Sequence, residues 1–367
     1  MTKNNIKIGI IGCGNIAHQK HLPSLKKLGE QVSLIDFCDE LEERALEAGN
    51  EYGSSGFEVY TDYRELLINE SIDVVHVLTP NISHAEISVA ALEAGKHVMC
   101  EKPMAINSIE AKKMVDTSER TGKKLTIGYQ HRFRKDSQFL KEAIKNNELG
   151  DIYHAKSHAV RRRGVPTWGV FLDKNKQGGG ALIDIGTHAL DLTLWLMDNY
   201  EPELVDGAVY RKLTEKSDGN MFGKWDIGNF SSDLEDSAFG YIKMKNGATI
   251  FLEAAWALNV INPKESQVTL CGTEAGAEMF GDPDDNEGYV VLNTSKYDRL
   301  IDSNTKTDNL IKPLKWKEDL GYLEAKNWIN AIENDTDPMV LPQQAYNVTR
   351  ILEAIYLSAE TKNSVKI

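Results

Sequence analysis

Short apolar runs alternate with helical patterns through residues 1–125. Ile6–Ile11 is almost continuously apolar, as a strand buried on both faces requires. Val32–Cys38, Val74–Leu78, His97–Cys100 and Leu125–Tyr129 read as further strands. Between them Ile16–Leu28, Glu40–Glu51, His84–Ala94 and Ser108–Thr121 have helical spacing. Gly95 closes the third of these helices; Ser108 stands as N-cap of the fourth and Gly122 just past its end. Strands alternating with helices predict an α/β domain with a doubly wound, parallel sheet of the Rossmann kind.

Past Gly150 the texture changes. Ile152–Val160 alternates like a longer strand, and Asp236–Leu258 holds two strands joined at Asn246-Gly247, a pair suited to a tight hairpin because both residues tolerate positive φ. Gln267–Cys271 and Tyr289–Leu292 read as strands, Gly281–Gly288 and Thr294–Lys312 as surface loops, and Leu320–Glu333 and Gln343–Glu360 as two closing helices. The expected organisation is the doubly wound α/β domain over residues 1–125 and an α+β domain over 126–367 with a mainly antiparallel, open sheet. The C-terminal helix is free to pack back on the first domain.

Composition narrows the function classes. The chain has 367 residues, 41% hydrophobic and 26% charged, enough for two globular domains with sizeable cores. Its net charge of -13 and the lack of basic runs beyond Arg161–Arg163 argue against nucleic acid and against anionic membranes as partners. Neither a signal peptide nor a transmembrane stretch is expected. The four cysteines, Cys13, Cys38, Cys100 and Cys271, form no C-x-x-C pair; reduced thiols in a cytoplasmic protein are expected, with neither disulfide framework nor structural zinc.

The first strand runs directly into Gly12-Cys13-Gly14-Asn15-Ile16-Ala17, a G-x-G-x-x-A turn that opens a helix. This is the dinucleotide fingerprint in its proper context. Gly12 allows the tight turn, Gly14 lets a pyrophosphate approach the backbone, and Ala17 permits close helix–sheet packing. Gly12, Gly14, Asn15 and Ile16 are therefore candidate cofactor contacts, with the pyrophosphate on free N–H groups at the helix start. Asp39, at the end of the second strand, is placed to accept hydrogen bonds from ribose hydroxyls and to repel a 2′-phosphate. Glu40 and Leu41 follow, with no cation to receive such a phosphate, so NAD is favoured over NADP. The interval from Gly14 to Asp39 exceeds the usual ~20 residues, and a longer first helix containing Pro23 accounts for it.

Three more motifs follow in order: Thr79-Pro80-Asn81 with His84, Glu101-Lys102-Pro103, and Gly178-Gly179-Gly180-Ala181-Leu182-Ile183-Asp184-Ile185-Gly186-Thr187-His188. With the fingerprint they resemble the glucose–fructose oxidoreductase/inositol dehydrogenase family (Gfo/Idh/MocA). The resemblance covers nearly the whole chain, including Gly128–Phe133 and the stretch Glu353–Ala359. It implies that Lys102 is the catalytic lysine beside the nicotinamide and the reacting hydroxyl, and that Asp184 and His188 are the substrate-binding and proton-transfer pair. It further implies that Thr79, Asn81 and His84 lie on a loop along the cofactor and Glu101 near the nicotinamide ribose. Gln130 and Arg132 would sit at a strand end facing the nicotinamide, Gln130 toward cofactor and Arg132 toward substrate.

The chemistry of these residue types is consistent with that. Oxidising an alcohol removes a hydride and a proton, and the proton needs a base with a pKa near the working pH. Histidine has one unperturbed; lysine must be lowered by burial or by neighbouring positive charge. Asp184 and His188 are spaced i, i+4 and share a face of any helix that begins there; Asp184 is alternatively the N-cap of the helix running to Met197. His188 is the expected general base and acid, with Lys102 polarising the oxygen. Asp191 is expected to be a helix-surface or structural group. The triglycine allows a close backbone approach or a hinge. The loop Arg161–Gly169 can roof a site, with Trp168 stacking on a sugar ring and Arg163 binding substrate oxygens; the alternative is a surface loop with Trp168 anchored in the core.

The expected activity is an NAD(P)-dependent dehydrogenase acting on CH–OH, moving a hydride between nicotinamide and a secondary hydroxyl or ketone of a sugar, anhydrosugar or inositol, without a metal. Two other classes keep the same dinucleotide site: a glycosidase or lyase that recycles its cofactor, and a non-catalytic NAD-binding sugar sensor. A reductase using NADPH on a keto-sugar is a third alternative, and Asp39 argues against it. An open sheet leaves a face to be covered by a second subunit or by the chain's own C-terminal helices. Relatives in this family pair through it, so a homodimer or homotetramer is expected.

Overall fold

The structure, a computed structural model, describes residues 5–213, 215–216, 218–224, 231, 233–281, 288–305 and 319–367. The chain forms two compact units: Met1–Gln130 with Glu318–Tyr346, and His131–Lys317 with Asn347–Ile367.

In the first unit six strands, β1 (Ile6–Ile11), β2 (Val32–Cys38), β3 (Glu58–Tyr60), β4 (Val74–Val77), β5 (His97–Cys100) and β6 (Leu125–Ile127), make one sheet in the order β3-β2-β1-β4-β5-β6. Every neighbouring pair is parallel. This is the doubly wound order, with the reversal between β1 and β4 beside the glycine turn. β1 is apolar because both its faces are covered: on one, Ile8 and Ile10 are wholly buried in a core shared with Leu22, Leu25, Trp328 and Ile329, and on the other Gly9 and Ile11 are buried. The first helix begins with a π-helical turn, Ala17–His21, and continues as α1 (Leu22–Lys26). Next come α2 (Glu42–Tyr52), α3 (Tyr63–Ile68), α4 (His84–Glu93) and α5 (Ser108–Thr121). The N-cap of α5 is Asn107, not Ser108: its side chain accepts from the Glu110 N–H at 2.8 Å, while Gly122 ends the helix in the left-handed conformation.

The second unit opens with α6 (Lys135–Lys145), β7 (Ile152–Val160), α7 (Lys174–Gln177), α8 (Thr187–Met197) and β8 (Pro202–Tyr210). It continues through β9 (Ser237–Met244), β10 (Thr249–Ala255), β11 (Lys264–Gly272), β12 (Ala275–Phe280), β13 (Tyr289–Lys296) and β14 (Arg299–Asn304). After α9 (Leu320–Glu333), which belongs to the first unit, and α10 (Pro342–Thr361), the chain ends in β15 (Val365–Lys366). Among the described residues nine strands form one sheet, ordered β14-β13-β12-β11-β7-β10-β9-β8-β15, and of these only β7 and β10 pair in parallel, so the sheet is mainly antiparallel as expected.

Thr294–Lys312 is not simply a loop. Strand β13 continues to Lys296, and Tyr297 and Asp298, at φ 54° and 59°, turn it back into β14. β14 is exposed along its whole length, so no buried face imposes an apolar alternation on its sequence. Residues 306–312 of that stretch, and 282–287 of the expected loop Gly281–Gly288, lie outside the described residues. No helix among the described residues is long and apolar enough to cross a membrane.

Candidate active site

In the first unit a candidate dinucleotide site is built on the turn after β1. Gly12 has φ 94°, and a Cβ there would stand 2.7 Å from the carbonyl carbon and oxygen of Leu78, so both conformation and contact demand glycine. Gly14 has no atom within 4 Å of the position a Cβ would take, which leaves open space over the backbone. Ala17 is buried against the sheet, while Asn15 and Ile16 are exposed, Ile16 at 37%. Asp39 comes directly to the turn: one carboxylate oxygen accepts the Cys13 N–H at 2.9 Å and the other the Leu41 N–H at 3.0 Å. Further lone pairs of that carboxylate remain for hydroxyl donors. A positive-φ glycine, an open second glycine, a helix start and a carboxylate at the end of β2 fit a dinucleotide.

The loop after β4 is held from behind. His84 is buried, its two ring nitrogens each 2.8 Å from a carbonyl oxygen, one of Thr79 and one of Pro103. It thus ties the Thr79–Asn81 loop to the turn carrying Lys102, and burial lowers its pKa. His84 therefore shapes the loop from inside instead of lying along a ligand. Thr79 is half-buried and Asn81 buried.

Glu101 is also inside. One oxygen accepts from Lys20 Nζ at 2.5 Å and lies 2.7 Å from His21 Nε2; the other accepts the Lys102 N–H at 3.0 Å. Lys20 also reaches Glu324 of α9 at 2.9 Å, and His21 Nδ1 lies 3.3 Å from His76 Nδ1. Burial alone would raise the Glu101 pKa, but the Lys20 charge and the His21 contact outweigh it and hold the carboxyl well below its usual range. Glu101, expected near the nicotinamide ribose, is thus the hub of a buried ionic cluster that fixes the backbone of Lys102. Lys102 itself is half-exposed, before a cis peptide to Pro103. Gln130, at the end of this unit's first segment, is half-exposed.

In the second unit, Leu182–Gly186 forms a π-helical turn that runs straight into α8. Through residues 181–196 every position is buried except Asp184 and His188, so a wholly inward helix presents these two groups alone. Asp184 lies inside the turn and is not an N-cap: its Oδ2 accepts the indole N–H of Trp256 at 2.8 Å. Trp256 is wholly buried, on the inward phase of β10 with Ile250, Leu252 and Ala254. That phase is readable in the sequence, and a buried indole N–H needs a partner. His131 is a second residue the motifs do not single out; its ring lies 4.5 Å from that of His188.

Arg132 departs from expectation, and its partner decides between the two roles open for Asp191. Arg132 is wholly buried, and its Nε and Nη2 donate to the two oxygens of Asp191, at 2.9 and 2.5 Å. The guanidinium is thus committed to a buried carboxylate, not presented to substrate, and of the two roles expected for Asp191 it is the structural one that holds. Arg163 donates to Asn259 Oδ1 at 2.6 Å. The loop it belongs to is anchored at Trp256, whose carbonyl accepts the Gly164 N–H at 2.7 Å. Trp168 is 41% exposed and meets Phe171 and Phe222 edge-on, at 5.7 and 5.0 Å between ring centroids. Among the described residues no cluster of His, Cys, Asp or Glu is placed to hold a metal ion.

Residues 6–129 match the NAD-binding Rossmann fold of the Gfo/Idh/MocA oxidoreductases, and residues 141–367 match that family's C-terminal alpha/beta domain. The chain belongs to this family. As a Gfo/Idh/MocA protein it is an oxidoreductase with an NAD-binding domain. It is similar to the D-glucoside 3-dehydrogenase of Escherichia coli K12, 36% identical over 370 residues that span 100% of this chain and 99% of the other. It is also similar to the myo-inositol 2-dehydrogenase of Thermotoga maritima, 27% identical over 99% of this chain and 98% of that one. In fold it matches the oxidoreductase domain protein of Kribbella flavida with a TM-score of 0.85, at 22% identity and 99% coverage of both chains.

Proposed function

We propose that the chain oxidises a secondary ring hydroxyl of a sugar to a ketone, with a glucoside as substrate and C3 as the carbon oxidised. The observation that carries the reading is that through residues 181–196 Asp184 and His188 alone are partly exposed. The full-length similarity to the glucoside 3-dehydrogenase supports the substrate class and the position. The alternative within the same chemistry is an inositol, which the similarity to the inositol 2-dehydrogenase supports.

Gly12, Gly14, Asn15, Ile16 and Asp39 hold the dinucleotide, and Asp39 selects NAD because its carboxylate accepts from a free 2′-hydroxyl and repels a 2′-phosphate. When bound, NAD supplies the two-electron acceptor. The chain's own part is acid–base and positional. His188 takes the hydroxyl proton at an imidazole nitrogen. Asp184, fixed by Trp256, accepts hydrogen bonds from substrate hydroxyls and stabilises the imidazolium. Lys102 donates to the reacting oxygen and favours the alkoxide-like state. Trp168 offers an aromatic face to the sugar or its aglycone.

Phe251 is 49% exposed on the outward phase of β10, against Tyr241 at 5.3 Å and His154 at 5.5 Å between ring centroids. We infer that a second copy covers this aromatic face, giving a homodimer or homotetramer; light scattering of the purified protein reads the mass directly. Four unbridged cysteines suit a reducing, cytoplasmic setting.

The test is a panel of methyl glucosides, free aldoses, anhydrosugars and inositols assayed with NAD and with NADP. Steady NADH formation with the glucosides, faster with NAD and lost in Lys102→Ala and His188→Ala, is the expected result. Glycoside cleavage without net NADH would replace the reading by a cofactor-recycling hydrolase. Tight NAD binding with no turnover of any kind would replace it by a sugar sensor.

A further inference from the structure

The triglycine and the C-terminal run containing Tyr356 have no part in the chemistry above, and they meet at one buried carboxylate. Glu235, just before β9, is 3% exposed. Its Oε1 accepts the Gly180 N–H at 2.9 Å, the Leu182 N–H at 3.1 Å and the Tyr356 hydroxyl at 2.7 Å; its Oε2 lies 2.9 Å from the same Gly180 nitrogen. Gly180 and Leu182 begin the segment that carries Asp184 and His188, and the Asp184 N–H donates to the Gly180 carbonyl at 2.9 Å. A helix start leaves its first N–H groups without intrahelical acceptors, and the usual remedy is a side chain just before it. Here the acceptor comes from a residue distant in the chain, placed at the positive end of the helix dipole; burial raises its carboxyl pKa, and the hydrogen bonds from Tyr356, Leu182 and Gly180 oppose that rise.

The glycines make that approach possible. A Cβ on Gly179 would stand 2.1 Å from the Tyr356 hydroxyl, and one on Gly180 would stand 2.1 Å from the Glu235 carbonyl oxygen. Burial and the Glu235 charge hold the Tyr356 phenol well above its usual pKa, so it stays a donor. Asp184 is therefore held twice, through its backbone by this clamp and through its side chain by Trp256.

We propose that Glu235, braced by Tyr356, is a positioning residue that sets the placement of Asp184 and His188 and thereby the rate of proton removal from substrate. This rests on the reading of those two residues as the proton-transfer pair. Displacements of about 1 Å at a reacting group cost roughly 100-fold in rate, so loosening the helix start acts on turnover more than on cofactor binding.

Full-length Glu235→Gln, Tyr356→Phe and Ser358→Ala are compared with wild type using methyl β-D-glucoside and NAD. Ser358 is the control on the same helix: it accepts the Gly207 N–H at 2.9 Å and does not touch Glu235. The readouts are kcat, KM, the pH midpoint of kcat/KM, NADH affinity and Tm. Glu235→Gln is expected to lower kcat roughly 10- to 100-fold, with NADH affinity within about twofold of wild type. Its pH midpoint is expected to move, because Asp184, one helical turn before His188, shifts with the helix start while His131, whose ring lies 4.5 Å from that of His188, stays. Tyr356→Phe shows the same change in smaller degree, and Ser358→Ala lowers Tm while keeping kcat and the pH midpoint. Folded Glu235→Gln and Tyr356→Phe proteins with wild-type kcat and pH midpoint overturn the proposal. So does a rate loss in all three variants that merely follows the folded fraction. Asp184→Ala and His188→Ala run alongside: if they keep the wild-type rate, the reading of the pair fails; if they lose it while Glu235→Gln does not, the clamp alone fails.

Discussion

Glu324 provides a test of the buried cluster behind Lys102 that needs no substrate. Lys20 Nζ is shared between Glu101 at 2.5 Å and Glu324 at 2.9 Å, so one ammonium faces two carboxyl groups. Burial, with the Glu101 charge and against the pull of Lys20, pushes the Glu324 carboxyl up from 4.5 to about 7. Between pH 4.5 and about 7 the unfolded chain has lost this proton while the folded chain keeps it. The native state then binds more protons, so this group's contribution to stability is fully present below pH 4.5 and is lost as pH rises toward about 7. At about 1.4 kcal/mol per pH unit the whole loss is roughly 3 kcal/mol. Glu324→Gln keeps the shape and an acceptor for Lys20 but cannot titrate. The Tm of the variant minus that of wild type is therefore expected to grow with pH across this window, by roughly 6–12 °C for a unit of this size. Scanning calorimetry of both proteins in buffers from pH 4.5 to 8 measures it. A difference in Tm that stays constant over that range refutes the reasoning, because Glu324 would then be ionised throughout.

Asp39→Ala should weaken NAD binding roughly 10- to 100-fold and narrow the preference over NADP, as seen by NADH and NADPH fluorescence titration; an unchanged preference would remove Asp39 from the specificity argument. Arg132→Met leaves Asp191 buried and uncompensated and should cost roughly 3–5 kcal/mol of stability in urea titration. The double variant Arg132→Met/Asp191→Leu should recover most of that, whereas failure to recover would mean the arginine does more than neutralise Asp191. Trp256→Phe removes the hydrogen bond to Asp184 while keeping an aromatic ring in the core, and should lower kcat roughly 10-fold with NAD affinity unchanged.

The nucleotide-binding unit was legible because its signals are local. A strand buried on both faces is apolar, a tight turn needs glycine, and alternation of strand and helix leaves few topologies. The same rules located β7, β9, β10 and both closing helices. They were silent on β14, whose exposed residues carry no apolar period. In the site, the motifs pointed to Lys102, Asp184 and His188 but not to what holds them. Lys20, Glu101 and Glu324 come together only when α9 packs on the first helix, and Arg132 finds Asp191 across the fold. An ion pair between residues far apart in the chain leaves no local mark. For that reason the resemblance alone placed Arg132 toward substrate, and the sequence left Asp191 open between a helix-surface and a structural role.

The most direct test of the account is to follow hydrogen from carbon. Methyl β-D-glucoside deuterated at C3 is incubated with NAD and the wild-type protein, with His188→Ala and Lys102→Ala alongside, and the NADH and sugar products are analysed by mass spectrometry. The account predicts one deuterated NADH for each 3-keto product formed, and neither product in the variants. A keto product without label in NADH, or cleavage of the glycoside with no net NADH, would contradict it.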